Sequence, residues 1–120
     1  MDESRPIFQQ IAEQIENDII SGALPEETQV PSTNEFAAFL RINPATAGKG
    51  VALLVETGIL YKKRGIGMFV AEGARARLVS ERRERFRDQY LAPLLAEARK
   101  LGIDQAQLVR LITENPDKES

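Results

Sequence analysis

The chain has 120 residues, of which 42% are hydrophobic and 28% charged, and its formal net charge is −2. This length allows one compact domain, or a small domain with an appendage, and disfavours a large enzyme core. The chain contains no cysteine and no histidine, so disulfides, Cys/His zinc sites, thiol nucleophiles and the commonest general base are excluded, and we expect no enzyme, metal site or cofactor.

The first predicted element is a helix with apolar residues at helical spacing, for which Ser4 and Pro6 offer a cap and a first-turn proline. The spaced residues are Ile7, Phe8, Ile11, Ile15 and Ile19. The segment Gly22–Pro25 ends this helix. We interpret the acidic pair Glu26–Glu27 as a solvated turn and Gln29–Pro31 as a brief extended piece.

Two further helices are predicted to meet across a tight turn. Ser32 and Glu35 form a capping box, in which both side chains satisfy free amide groups at a helix start. This second helix runs to about Leu40. Asn43, a cap residue, and Pro44, a first-turn proline, then open a third helix over about residues 44–57.

A basic hairpin follows the third helix. Ile59–Lys63 and Met68–Val70 are rich in branched, aromatic and long side chains, and Arg64–Gly67 connect them with two glycines. This order of elements is typical of a winged helix-turn-helix, whose third helix enters the major groove of DNA. The sequence thus predicts a mostly α-helical fold with a small β-hairpin, the wing, over about residues 59–70.

Charge is segregated along the chain. From Met1 to Glu35 one basic residue stands against eight acidic ones, whereas Phe36–Ala71 has five basic residues and one acidic residue. Because a basic surface displaces counterions from phosphates, this distribution favours nucleic-acid binding by the central segment despite the negative total. The net acidity also leaves an alternative function open, a winged helix that binds protein partners and not DNA.

The remaining chain predicts a helical tail. A long helix is expected to bend at Pro93 and stop at Gly102, Asp104 with Gln107 caps a last helix, and Asn115–Ser120 reads as a frayed end. We interpret the arginine-rich run over residues 75–87 as a solvated helix face, and contact with flanking phosphates is the less favoured alternative.

Two such helices cannot enclose a core alone, so we predict that they pair with a second copy of the chain. The division is then a DNA-binding domain over residues 1–71 and a two-helix C-terminal dimerisation tail over residues 72–120. The predicted dimer interface consists of Phe86, Tyr90, Leu94, Leu95, Leu108, Leu111 and Ile112.

Residues across 6–71 match a family pattern in identity, spacing and order: Leu24, Pro25, Val30, Pro31, Ser32, Phe36, Ala37, Thr46, Gly65, Gly67, Phe69 and Val70. With them the chain resembles the GntR family of transcription regulators. The stretch Asn43–Lys49, the short tail and the Leu101–Ile103 turn are similar to its YtrA subfamily. The resemblance implies a homodimeric repressor that binds double-stranded operator DNA, often near ABC transporter genes, without a large effector domain. The sequence identifies neither the operator, nor the regulated genes, nor a small-molecule effector.

The DNA-binding residues expected from these motifs are Ser32, Asn34, Asn43, Ala45, Thr46, Gly48, Lys49, Arg64, Gly65 and Gly67. A hydroxyl and an ammonium near a helix start, as Thr46 and Lys49 provide, can hold phosphates. The wing glycines let Arg64 approach phosphates or a minor groove. Gly48 costs a helix interior ~1 kcal/mol relative to alanine, and close approach to base edges would explain it.

Several of these residues also have purely structural interpretations. Asn43 is favoured as a helix cap, Lys49 taken alone would be a solvated surface charge, and Gly50 would admit a neighbouring helix. The family commonly places arginines at the positions of Asn34, Pro44 and Gly48, and their absence removes the usual bidentate guanine contact from these positions.

No apolar run approaches the ~18 residues of a membrane span, and no partner in a membrane is expected. The first residues carry charges of both signs and not a basic segment followed by an apolar one. We therefore expect a cytoplasmic protein.

Overall fold

The computed structural model describes residues 5–115, which are mostly helical and include a two-stranded antiparallel sheet. The elements are α1 (Ile7–Ser21), α2 (Thr33–Leu40), α3 (Pro44–Glu56), β1 (Leu60–Lys63), β2 (Gly67–Val70), α4 (Ala74–Phe86), a π-helical turn (Arg87–Leu91), α5 (Ala92–Lys100) and α6 (Gln105–Glu114). The chain divides into two compact units, the first ending at Ser80 and the second beginning at Glu81. This order confirms the predicted winged helix-turn-helix followed by a helical tail.

Helix α1 forms because its apolar residues recur every three to four positions and so share one face. The residues buried on this face are Ile11, Ala12, Ile15 and Ile19. Pro6 occupies the N-cap position and not the first turn, and the predicted cap Ser4 lies outside the described residues. Gly22 ends the helix in a left-handed conformation (φ +92°), which glycine adopts without strain.

The helix-turn-helix pair is bounded by the predicted caps. Ser32 and Glu35 form the capping box at the start of α2. The side chain of Asn43 accepts a hydrogen bond from the amide of Ala45 and opens α3. Between the helices Arg41 adopts a left-handed backbone conformation (φ +58°), which makes the turn tight.

The wing pairs β1 with β2 in a register that sets Tyr61 opposite Phe69 and Leu60 opposite Val70. The segment over residues 27–30 runs beside β2, because its amides and carbonyls exchange hydrogen bonds with Met68 and Val70. The extended piece predicted from Gln29 therefore adds a short third strand-like edge, with an isolated bridge between Gln29 and Phe69.

One hydrophobic core holds the first unit together. It joins buried side chains of α1, α3 and both strands with the start of α4, where Ala74 and Leu78 are buried. Each large apolar side chain buried in this way contributes roughly 1.5–3 kcal/mol relative to exposure. The start of the predicted tail thus packs with the first unit, and the functional boundary after residue 71 stays a prediction.

Helices α1 and α3 approach each other closely at Gly50. A Cβ atom added there would lie 2.8 Å from the carbonyl oxygen of Phe8 and 3.0 Å from Cγ2 of Ile11. A Cβ at Gly48 would meet only Cγ2 of Thr33, at an ordinary 3.6 Å. Internal packing therefore explains Gly50, as a residue that admits α1, and does not explain Gly48.

The second unit is helical. Pro93 has no amide hydrogen for the α-helical bond to the carbonyl four residues earlier, and the chain passes this point through a wide turn in which the amide of Ala92 bonds to Arg87, five residues back. The bend predicted at Pro93 takes this π-helical form. Gly102 (φ +70°) follows the end of α5, and Asp104 with Gln107 forms the predicted capping box of α6.

The close contact at Gly50 predicts opposite effects of two glycine-to-alanine substitutions in α3. Gly50→Ala should lower the free energy of unfolding, since forcing a methyl group into a packed site costs about 1–3 kcal/mol and exceeds the ~1 kcal/mol of helix propensity gained. Gly48→Ala should leave stability unchanged or raise it. Urea denaturation followed by circular dichroism measures both, and a Gly50→Ala variant as stable as the parent would contradict the packing argument.

Candidate nucleic-acid interface

The start of α3 presents the central part of the candidate site. Asn43, Ala45 and Lys49 are exposed there, and Thr46 and Gly48 are half-buried. The Oδ1 atom of Asn43 lies 2.7 Å from the amide nitrogen of Ala45 and accepts its hydrogen bond. The favoured interpretation of Asn43 as a helix cap is therefore confirmed. The NH2 group of its side chain can still donate a hydrogen bond to a base.

The start of α2 lies against the start of α3. Cγ2 of Thr33 is 3.6 Å from the position of a Cβ at Gly48, so the two helix starts come together there. Ser32 and Asn34, which flank Thr33, are exposed. The hydroxyl oxygen of Ser32 accepts a hydrogen bond from the amide of Glu35 at 3.1 Å, so this serine already has a structural role.

Lys49 is positioned by an aromatic ring that sequence reasoning did not connect to it. Its Nζ atom lies 4.7 Å from the centre of the Phe8 ring at the start of α1. An exposed cation over an aromatic ring gains about 0.5–1 kcal/mol, which restrains the side chain without removing its charge from water. Lys49 is thus directed toward α1, whereas Gly48 faces α2.

The tip of the wing is built on two glycines. Gly65 (φ +78°) and Gly67 (φ +148°) adopt conformations that other residues rarely adopt, and the amide of Ile66 closes the turn onto the carbonyl of Lys63. Arg64 is exposed at this tip. Ile66 is 62% exposed between the glycines, an apolar tip residue that the basic and glycine pattern of the hairpin gave no reason to select.

A long-range hydrogen bond fixes the wing tip. Nε2 of Gln29 donates to the carbonyl oxygen of Ile66 at 3.0 Å, across 37 positions of the chain. The same side chain occupies the space beside Gly67, where a Cβ would come within 2.5 Å of it. Gln29 therefore holds the tip from the neighbouring edge of the sheet.

The outer face of the wing carries a stack of rings and a cation. Tyr61 and Phe69 stack with their centres 5.9 Å apart, and Nζ of Lys63 lies 4.2 Å from the centre of the Phe69 ring. The Tyr61 hydroxyl donates to Oε1 of Glu27 at 2.8 Å. This hydrogen bond, with desolvation and the charge of Glu27, raises the pKa of Tyr61, so the bond persists at neutral pH and is lost as the pH rises through that raised value.

Glu26 and Glu27 lie exposed in a turn, as the sequence predicts, and both carboxylates also accept hydrogen bonds from distant parts of the chain. Glu27 bonds to Tyr61, and Glu26 accepts hydrogen bonds from the amides of Gly73 and Arg75. Glu27 has a left-handed backbone (φ +64°), which costs a non-glycine residue roughly 1–2 kcal/mol. The two carboxylates thus connect the loop after α1 to the wing and to α4.

The predicted dimer residues lie in the tail with their apolar surface in water. Leu108 is half-buried, and the exposed ones are Phe86, Tyr90, Leu94, Leu95, Leu111 and Ile112. Phe86 and Tyr90 contact each other with ring centres 5.8 Å apart. Leu101 and Val109 are exposed as well, at 64% and 54%, and the interface residues chosen from the sequence do not include them.

Among the described residues, none of the helices combines the length and the apolar character that crossing a membrane requires.

Comparison with known proteins identifies similar chains. Residues 7–70 match the profile described as bacterial regulatory proteins, gntR family. The HTH-type transcriptional repressor YtrA of Bacillus subtilis is 30% identical over 111 residues, which cover 92% of this chain and 85% of that protein.

Solved structures share the fold. A GntR family transcriptional regulator from Listeria monocytogenes is 28% identical with a TM-score of 0.75, and the match covers 97% of this chain and all of the other. The DNA-binding domain of AraR, crystallised with operator ORR3, is 31% identical with a TM-score of 0.51 over 53% of this chain and 77% of that one.

The Gln29 bond predicts a local effect of its removal. In Gln29→Ala the Ile66 carbonyl loses its partner, so the amides of the turn at Lys63–Gly67 should exchange with deuterium a few times faster. Global stability should fall by less than about 1 kcal/mol, because the bond is exposed. Gln9→Ala on α1 is the matched control, and equal exchange in both variants would show that Gln29 does not hold the tip.

Proposed function

We propose that this chain, which belongs to the GntR family of bacterial transcriptional regulators, acts as a dimeric repressor that binds a pseudo-palindromic operator. The observation that carries the proposal is the pairing of an exposed α3 start with a glycine-based, basic wing tip in one compact unit. The fold is also that of a domain crystallised with its operator. The members of this family regulate transcription, and the chain is not an enzyme.

In the proposed complex the start of α3 enters the major groove. Gly48 and Ala45 lack bulky side chains, so the helix can approach base edges closely, while Asn34 and the amide group of Asn43 are available as readers. Thr46 and Lys49 contact phosphates, and Lys49 leaves Phe8 to do so. Ser32 orients the amides at the start of α2 toward the phosphate backbone of the DNA.

The wing contacts the flanking phosphates or the minor groove through Arg64. Gly65 and Gly67 allow the backbone to come close, and Gln29 fixes the tip before binding. A tip held in place in the free protein loses less conformational entropy when it binds.

The tail is proposed to pair two copies through the exposed apolar residues of the predicted interface. Pairing by a two-fold axis would place two α3 helices on two half-sites of one operator. The subfamily resemblance of the sequence implies a target near ABC transporter genes, and the genes beside this one test that assignment. The proposed operator binding requires access to the chromosome and so implies a cytoplasmic location.

Two substitutions separate phosphate contacts from base contacts. Arg64→Ala should weaken binding to operator and random duplexes alike and reduce the slope of log affinity against log salt by ~1 unit. Gly48→Leu should reduce operator affinity about tenfold or more, because one close base contact is worth ~1–3 kcal/mol, and leave the salt slope unchanged. Fluorescence anisotropy with labelled duplexes at several salt concentrations measures both.

The parent chain decides whether DNA is the partner at all. A steep negative salt slope with a preference for one selected duplex supports the proposal, and a flat response would instead favour a winged helix that binds protein. An unchanged slope in Arg64→Ala would remove the wing from the interface. Unchanged operator affinity in Gly48→Leu would rule out close approach at that position.

The proposed dimer predicts that one charge in α6 separates the copies. The parent should sediment as a dimer at micromolar concentration, and Leu111→Glu should sediment as a monomer, since an unpaired charge in an apolar interface is costly. Ala106→Glu introduces the same charge about 140° away on this helix, by the 100° step per residue, and should remain dimeric. A monomeric parent would overturn the dimer.

A further inference from the structure

The first turn of α4 is held by a carboxylate from a distant part of the chain. Oε1 of Glu26 accepts a hydrogen bond from the amide of Gly73 at 2.9 Å, and Oε2 accepts one from the amide of Arg75 at 3.2 Å. Amides at a helix start lack partners within the helix, and the positive end of the helix dipole favours a negative charge there. The residue before α4 is Gly73, which has no side chain for capping, and Glu26 takes over this role.

An arginine at the start of α4 makes a further hydrogen bond, this time from its side chain to the end of α1. Nε of Arg75 donates to the carbonyl oxygen of Ile20 at 2.8 Å. Ile20 belongs to the last turn of α1, where carbonyls lack helical partners and a cation is favoured. We call these three hydrogen bonds, from Gly73 and Arg75 to Glu26 and from Arg75 to Ile20, the clasp.

Only two residues of α4 are buried, and the clasp adds a further attachment of this helix to the first unit. Its buried residues are Ala74 and Leu78, which are four positions apart and so lie one above the other on the same face. These two side chains hold α4 against the core at two places on one face, and Val79 and Arg82 further along the helix are half-buried. The clasp binds the helix end at a third place, to the loop after α1 and to α1 itself.

We infer that the clasp is a positioning device that sets which separation of operator half-sites the repressor accepts. Helix α4 begins in the first compact unit and ends in the second, so it is the element that connects the DNA-binding unit to the proposed dimerisation tail. In the inferred dimer, a fixed helix start would restrict how α4 leaves the DNA-binding unit, and this restriction would favour one half-site spacing. The inference rests on the proposed function and assigns Glu26 and Arg75 a part in its specificity without contact to DNA.

The clasp is strong enough to shift a preference between half-site spacings but too weak to determine whether the chain folds. All three bonds are exposed to solvent, where individual polar pairs contribute little. Loss of a capping side chain nevertheless shifts the population of an ordered helix start about fivefold. The effect should therefore appear as a change in selectivity between spacings and not as a loss of folding.

The test uses the full chain and duplexes selected by the parent protein from a random library. From the selected palindrome we derive a duplex with one half-site and a series with the spacer lengthened or shortened by one and two base pairs. Glu26→Ala should bind the single half-site within about twofold of the parent, while its preference for the selected spacing over the others should fall about fivefold. Glu26→Gln, which keeps one carbonyl acceptor, should be intermediate, and Arg75→Ala should also relax the preference.

Glu72→Ala is the matched control, because it removes the same charge next to the clasp from an exposed side chain. It should keep the parent's spacing preference. In parallel, hydrogen exchange of the Gly73 and Arg75 amides should accelerate in Glu26→Ala and not in the control, which measures the clasp without DNA.

Three results would overturn the inference. The first is a Glu26→Ala variant that keeps the spacing preference of the parent, and the second is one whose half-site binding falls as much as its palindrome binding. The third is unchanged amide exchange, since no clasp would then exist. A parent chain that selects no duplex, or that shows no spacing preference, would instead refute the proposed dimeric repressor itself, and the inference with it.

Discussion

The approach of α1 to α3 at Gly50 is the constraint on which the candidate interface depends. The carbonyl oxygen of Phe8 lies only 2.8 Å from where a Cβ at position 50 would be, and the side chain of Ile11 is almost as near, so only a residue without a side chain fits there. Ala47, Val51 and Leu54 are buried on the same side of α3. Because one face of α3 is buried so tightly, the direction in which its opposite face points is fixed as well. That opposite face carries Ala45 and leaves the start of α3 exposed. The position of this helix is therefore set by close packing and not by flexible polar side chains.

The acidic residues of the chain have a structural use that the net charge conceals. In the first compact unit, side-chain carboxylates bond to Arg5, to amides at the starts of α2 and α4, and to the Tyr61 hydroxyl; the residues concerned are Glu13, Glu26, Glu27 and Glu35. Lys49, Lys62 and Arg64 remain exposed in the central segment. Because association with DNA responds to the local distribution of charge, a total of −2 does not conflict with a basic contact surface.

Local signals in the sequence were sufficient to predict the order of the elements. Both capping boxes, the Asn43–Pro44 helix start and the glycine-containing hairpin depend on residues within a few positions of one another, and each forms as expected. The contacts that position the site were not predictable in this way. Gln29 reaches Ile66 across 37 positions, Tyr61 reaches Glu27 across 34 and Glu26 reaches Gly73 across 47. Neither periodicity nor capping rules contain information about pairs so far apart, and only the packed core brings them together.

The last helix of the tail, α6, is short and leaves its apolar side chains exposed. Helix α6 has ten residues, and none of them is buried. Its large apolar side chains include Leu111 and Ile112, which are 54% and 63% exposed. Isolated helices shorter than about 12–15 residues are marginal in water, and most helical stability comes from packing an apolar face. The capping box at Asp104 satisfies amides at the helix start, but a cap contributes only ~1 kcal/mol. Helix α6 therefore needs a surface to cover its leucines, and the proposed pairing with a second tail would provide one of identical chemistry. A two-fold pairing of this kind would stabilise the helix and bring two α3 helices to one duplex by the same contact.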